Sequence, residues 1–107
     1  MTLADTLQAA MTTAMREHDD LRRDTLRMAI AAAYNAEKAA RRPLTDDELL
    51  GVLTRETKTR RESIEAYEKA GRPDLAAKER AESDILAEYL PAALTDELLE
   101  LVRYAAG

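Results

Sequence analysis

The side chains of this chain that could do chemistry are few, and their spacing limits what they can do. His18, the single histidine, is followed directly by Asp19 and Asp20. One imidazole and two carboxylates could together hold a metal ion, but the same residues suit a loop that caps the next helix. The capping use is the plainer one, so no metal site is expected. The carboxylate pairs Asp46/Asp47 and Glu79/Glu82 could serve general acid–base chemistry only if a cleft shifted their titration. Ser63 and Ser83 are the only serines, neither in a nucleophile motif, and there is no cysteine. No glycine-rich loop is present to cradle a phosphate. These residues lead us to expect no catalytic residue and no cofactor.

A second kind of chemistry is carried by charge. The stretch TRETKTRRESIEAYEKAGRPDLAAKERAESD, Thr54 to Asp84, is dense in both signs. Within it Arg55, Lys58, Arg60 and Arg61 form a basic cluster that could take the phosphates of an RNA backbone. From Thr54 to Ser63 there is no apolar side chain, so that length of helix must be solvated, ion-paired to a neighbour, or bound to a partner. Folding the chain back at Gly71–Arg72 brings Arg60 and Arg61 near Ser83 and Asp84, with Glu82 close to the same level. Ile64 then falls opposite Arg80, whose apolar stem can cover it. Two readings stand side by side. Either the charges satisfy each other across and along the hairpin, or they leave a basic face for phosphate. The acidic neighbours favour the first.

The elements that must position these residues read as helices throughout. Thr2 is placed to cap helix 1, with Asp5 in its first turn. Leu3, Leu7, Met11 and Met15 recur at helical spacing, with Ala10 and Ala14 beside them. Asp19 or Asp20 starts helix 2, which runs to about Ala40 with Leu26, Ile30, Ala33 and Tyr34 inward. Lys38, Arg41 and Arg42 oppose the negative end of its dipole. Pro43 stops it. Thr45 and Glu48 form a capping box for helix 3, flanked by Leu44 and Leu49 at hydrophobic-staple positions. Helix 3 continues to about Ala70, where Gly71 supplies a left-handed end. Pro73 opens helix 4, which runs to about Tyr89. Pro91 breaks the chain, and Thr95 caps a short fifth helix with Leu98, Leu99, Leu101, Val102 and Ala105 as its apolar positions. Leu98, Leu101 and Val102 are the expected interaction surface, a route to self-association.

Composition agrees with this pattern. The chain has 107 residues, 46% hydrophobic but rich in alanine, with no Phe or Trp and only three Gly and three Pro. Such small side chains suit closely packed helices better than a sheet sandwich. The expected fold is all-α: a four-helix N-terminal part over 1–90 with a long hairpin of helices 3 and 4, and the start of a second helical part over 91–107. The start MTLADTLQAAMTTAMREHDD does not look like a signal peptide, and no apolar run approaches the ~20 residues needed to span a membrane. Cytoplasm is the expected location, with no membrane partner. Net charge is −5, which argues against binding nucleic acid through the whole surface and gives no reason to expect DNA.

The pieces RPLTDDELLGVL, KTRRESIEAYEKAGRPDLAAKE and AEYLPAALTDELLELV, in that order, resemble the YqeY-like proteins of the GatB/YqeY family. The likeness covers nearly the whole chain. It implies an all-helical fold related to the C-terminal region of the B subunit of glutamine-dependent aminoacyl-tRNA amidotransferase. In that enzyme the region is associated with tRNA contact, while the ATP-dependent chemistry and the glutaminase lie elsewhere. Stand-alone members look like bacterial proteins associated by label with amide-forming carbon–nitrogen ligases. Family members continue through further helices rich in Gly and Lys, whereas this chain stops at VRYAAG. Most of the C-terminal tail subdomain is therefore expected to be missing.

Three functions follow as expectations. The first is an accessory module that binds tRNA or the amidotransferase complex through Arg55, Lys58, Arg60 and Arg61. The second is a helical protein–protein adaptor without RNA binding. The third, an autonomous amidotransferase, finds no nucleophile, glutaminase centre or nucleotide loop to support it.

Overall fold

The computed structural model describes residues 2–92. Among them every regular element is helical: α1 (Leu3–Arg16), α2 (Asp20–Ala40), α3 (Asp46–Lys69) and α4 (Pro73–Ala87). The fifth helix and its residues Leu98, Leu101 and Val102 lie outside the described residues. Packing divides the chain into two units between Leu53 and Thr54, within α3.

The first unit holds α1, α2 and the opening turns of α3. Thr2 and Asp5 cap α1 reciprocally: the Asp5 amide donates to the Thr2 hydroxyl (3.1 Å) and the Thr2 amide to the Asp5 carboxylate (3.3 Å). Between α1 and α2, His18 adopts a left-handed conformation (φ 57°), and the Asp19 amide reaches back to the Ala14 carbonyl (2.9 Å). Asp19 then caps α2 by accepting from the Arg22 amide at 3.1 Å. Leu7, Ala14, Thr25, Leu26, Ala29, Leu49, Val52 and Leu53 are buried. Thr25, polar among them, donates its hydroxyl to the Leu21 carbonyl at 2.8 Å.

Two side chains expected inward are not. Met15 is 50% exposed and Tyr34 is 60% exposed. At ~100° per residue, Met15 lies roughly 90° from the Leu7–Ala14 line, and Tyr34 roughly 130° from the mean direction of Thr25, Leu26 and Ala29. The stripe that spacing suggests is wider than the buried seam. A tyrosine hydroxyl also favours water or a partner over an apolar seam.

The α2–α3 boundary follows the sequence closely. Arg41 is left-handed (φ 59°) and closes α2, its amide bonded to the Glu37 carbonyl. The Thr45 amide donates to Glu48 Oε1 (3.0 Å) and the Glu48 amide to Thr45 Oγ1 (3.1 Å). Glu48 also receives both terminal nitrogens of Arg42, at 2.7 and 2.8 Å. These hydrogen bonds, from Arg42 first and then Thr45, hold the Glu48 carboxyl down at about 2.

The second unit contains the rest of α3 and α4, joined as a hairpin. Gly71 (φ 71°) ends the first helix, with the Arg72 amide bonded to the Tyr67 carbonyl at 2.8 Å. Pro73 occupies the first turn of α4, where its missing N–H costs nothing. Helix α4 ends at Ala87, and a tighter turn follows in which Glu88, Tyr89 and Leu90 bond to carbonyls three residues back. Thr57, Arg60, Ile64, Ala76, Glu82, Ile85, Leu86 and Leu90 are buried. Arg80, placed opposite Ile64 by the folding-back argument, uses its guanidinium to pair with Glu68.

Candidate functional site

Arg60 does not belong to an exposed basic face. Only 3% of it is accessible. Its Nε donates to Glu82 Oε2 at 3.1 Å, and its Nη1 donates to Glu56 Oε2 (3.1 Å) and to the Glu56 carbonyl (3.2 Å). Helical geometry explains the burial. At ~100° per residue, position 60 points within roughly 60° of Leu53, Thr57 and Ile64, all of which are buried. The run from Thr54 to Ser63 looks wholly polar in sequence, yet it still has an inner side. Thr57 and Arg60 form it.

The other three cations are placed differently. Arg55 and Lys58 are exposed and Arg61 is half-buried. No ion pair joins any of them to a carboxylate among the described residues, in contrast to Arg60–Glu82, Arg80–Glu68 and Lys69–Glu65. They spread over roughly 120° of the α3 surface, with Glu62 and Glu65 on the same arc. This face can supply a few phosphate contacts, spaced by acids.

The carboxylates around Arg60 outnumber it. Glu79 titrates above its ordinary range, first because of burial and second because of the Glu82 charge, while Arg60 pulls the other way. Glu79 and Glu82, an acid–base candidate by sequence, thus share a site with a fixed guanidinium. Asp46, half of the other pair, accepts from the Leu3 amide at 3.2 Å and so ties the start of α1 to the start of α3. Asp19 is a helix cap, and His18 is the exposed left-handed residue before it. Among the described residues no cluster of His, Cys, Asp or Glu is arranged to hold a metal ion.

One surface feature has no signal in any single stretch of sequence. Within the first unit, Leu7, Ile30, Leu49 and the ring of Tyr34 line an open groove of about 160 Å³, with Gln8 and Glu37 supplying its polar groups. Lys38 Nζ lies 5.4 Å from the centroid of the Tyr34 ring. The clue available in sequence is Tyr34 followed by Lys38 and Arg41 at helical spacing.

These features define an all-helical module whose distinctive surface is charge and an exposed aromatic. The chain belongs to the YqeY-like protein family: the family model described as "Yqey-like protein" matches residues 4–106. It is 35% identical over 102 residues to "Altered inheritance of mitochondria protein 41, mitochondrial" of Pyrenophora tritici-repentis, covering 92% of this chain and 56% of that protein. The protein of the same name in Eremothecium gossypii is 36% identical over 89 residues, covering 79% and 49%. An uncharacterised protein of Schizosaccharomyces pombe is 36% identical over 67 residues, covering 63% and 54%. The chain spans about half the length of the curated relatives it matches. The resemblance implied bacterial proteins. These relatives are fungal, and two are named as mitochondrial, so the family is not confined to bacteria. Among the described residues no helix is long and apolar enough to cross a membrane.

Proposed function

We propose that the chain is an accessory binding module of tRNA-dependent amidation, acting in a carbon–nitrogen ligase system with glutamine as nitrogen donor. In this reading it holds tRNA or the amidotransferase complex and leaves the chemistry to other subunits, in the cytoplasm. Family membership supports the reading, together with one structural observation: Arg55, Lys58 and Arg61 have no carboxylate partner among the described residues. Cations left unpaired can meet phosphate without first breaking an ion pair. Arg60 contributes by holding the hairpin that carries them, since its own guanidinium is committed to Glu82 and Glu56.

Titrating labelled tRNA at several salt concentrations tests this. Replacing Arg55, Lys58 and Arg61 together by Gln is expected to lower the log–log salt slope by about 2 to 3, near ~0.7–0.9 for each phosphate no longer neutralised. An unchanged slope, or no tRNA binding by the wild-type chain at low salt, would refute tRNA binding through these cations and leave only the complex as partner.

A second reading, a protein–protein adaptor, draws on Leu21 and Met28. These sit seven residues apart on α2 and are both exposed. Self-association through Leu98, Leu101 and Val102 belongs to the same reading. Light scattering at high concentration would count against it by giving a monomer whose mass does not change on Leu98→Asp substitution.

A further inference from the structure

The last two turns of α2 carry a group of side chains that neither reading uses. Tyr34 and Lys38 stand at i and i+4 on one face of the helix, and Arg41, the left-handed residue that closes it, follows three positions on. Tyr34 is 60% exposed, although a large aromatic ring gains by burial, and it lines the groove beside Leu7, Ile30 and Leu49. Lys38 stands over its ring at 5.4 Å from the centroid. Arg41 is exposed and held at φ 59°. Glycine would adopt that conformation with less strain, so an arginine there calls for a use of its side chain.

Opposition to the helix dipole is one such use, but it does not distinguish the three cations at this helix end. Arg42 is bound through both terminal nitrogens to Glu48. Lys38 and Arg41 have no carboxylate partner among the described residues. A groove of about 160 Å³ is too small for a drug-sized ligand, whose pockets span roughly 300–1,000 Å³. It suits one planar ring. Apolar side chains and an aromatic would meet the faces of such a ring, while Gln8 and Glu37 bring an amide and an acceptor to its edge. Glu37 would repel an anion, which directs a phosphate away from the groove and toward Lys38 and Arg41. An aromatic surface with cations beside it is the combination by which proteins hold unpaired bases.

The geometry points to Tyr34, Lys38 and Arg41 as a binding site for one unpaired nucleotide, the base packed on Tyr34 at the groove and its phosphate on the two cations. The site lies on α2 and the adjoining groove, so it stands or falls separately from the α3 cations. The nucleotide comes either from a single strand or from a free mononucleotide, and the two sources share this chemistry.

The test uses the full chain. Fluorescein-labelled single-stranded RNA and DNA of about ten nucleotides are titrated by anisotropy between ~50 and ~200 mM salt. Unlabelled AMP, UMP and inorganic phosphate serve as competitors. Tyr34→Leu is expected to weaken binding by about fivefold or more, while Tyr34→Phe keeps it, because the face of the ring carries the interaction. Lys38→Gln with Arg41→Gln is expected to lower the salt slope by about 1.4, two single-strand contacts at ~0.7 each. Competition by AMP or UMP that phosphate cannot reproduce would identify the free nucleotide as sufficient. Binding that needs the oligonucleotide would identify the strand. Either supports the site provided it depends on Tyr34. The inference is overturned if Tyr34→Leu binds like wild type, or if neither oligonucleotides nor mononucleotides bind at ~50 mM salt. Loss of binding in the Arg55/Lys58/Arg61 variant with the Tyr34 effect intact would separate the two surfaces. Loss only in the α3 variant would leave the α3 reading standing and remove this one.

Discussion

Replacing Arg60 by methionine keeps an unbranched side chain in the hairpin but removes its charge. Arg60 and Glu82 expose only 4% and 10% of their side chains, and their ion pair spans 3.1 Å. Removing one partner of a buried pair leaves an uncompensated charge, which costs about 3–5 kcal/mol. Two features of this site bear on that figure. After Arg60→Met, Glu82 is left without its guanidinium and beside Glu79, whose ionisation burial and the Glu82 charge already oppose. The cost is that of a stranded buried charge, about 3–5 kcal/mol at neutral pH. After Glu82→Gln, Arg60 still has Glu56 Oε2 at 3.1 Å and the Glu56 carbonyl at 3.2 Å. Its loss is then about 1–2 kcal/mol, that of a charged hydrogen bond weakened rather than a charge abandoned. Combining Arg60→Met with Glu82→Leu removes both charges together and is expected to recover most of the stability, since well-packed apolar replacements of buried pairs are often neutral or stabilising. Urea unfolding followed by far-UV circular dichroism measures all three, and the single Glu82→Leu variant closes a double-mutant cycle with Arg60→Met. A buried, mutually dependent pair is ruled out if Arg60→Met costs under about 1 kcal/mol, or if the apolar double variant is as unstable as the Arg60→Met and Glu82→Leu effects summed.

Other perturbations follow from the same structure. Glu48 is held at about 2 against an ordinary 4.5; its folded-state value is depressed, so its contribution is complete above the ordinary value and is lost as pH falls from there toward about 2. Arg42→Gln should shrink that acid-limb loss in a pH titration of stability. Glu79 moves the opposite way: a raised folded-state value means that ionising it opposes folding, so Glu79→Gln should stabilise the chain at neutral pH, with the gain fading as pH falls into the range where Glu79 is protonated. Gly51→Ala and Gly71→Ala should differ in sign, though a Cβ at either would meet open space. Gly51 lies within α3, where alanine gains up to about 1 kcal/mol, whereas left-handed Gly71 would lose about 1–2 kcal/mol. Thermal melts of the two variants would check this.

Helix boundaries are legible in the sequence because short-range chemistry sets them. Thr45 and Glu48 lie three residues apart and can satisfy each other whatever the rest of the chain does, and Gly71 before Pro73 leaves few alternatives. The direction of individual side chains is less legible because it depends on what packs opposite. Tyr34 and Met15 fall at helical spacing from buried residues, yet the seam is carried by small or slim side chains such as Ala14, Thr25 and Ala29, and so it is narrow. Arg60 shows the reverse error. A charged residue in a polar run reads as surface, and only the hairpin brings Glu82 to it. A hairpin folded back at Gly71–Arg72 brings Glu82 near the right level, which suggests self-neutralisation but does not separate Arg60 from Arg55, Lys58 and Arg61. The groove at Tyr34 draws on α1, α2 and the start of α3, so no single stretch announces it.

The buried Arg60–Glu82 pair also constrains which hairpin can form. Sliding α4 along α3 by one turn would set Arg60 against Lys78 in one direction and against Leu86 in the other. The first meets like charge and the second leaves the guanidinium with only Glu56 of its own helix, so each shifted register gives up the cross-helix pair even where apolar contacts could re-form. A sheet fixes its register through backbone pairing, but two helices sliding past each other have no such ladder. Here a single ion pair can act as the key. We predict that the apolar double variant, though stable, populates more than one alignment of the hairpin, seen as duplicated amide resonances for α4. One sharp set of resonances would show that shape alone sets the alignment.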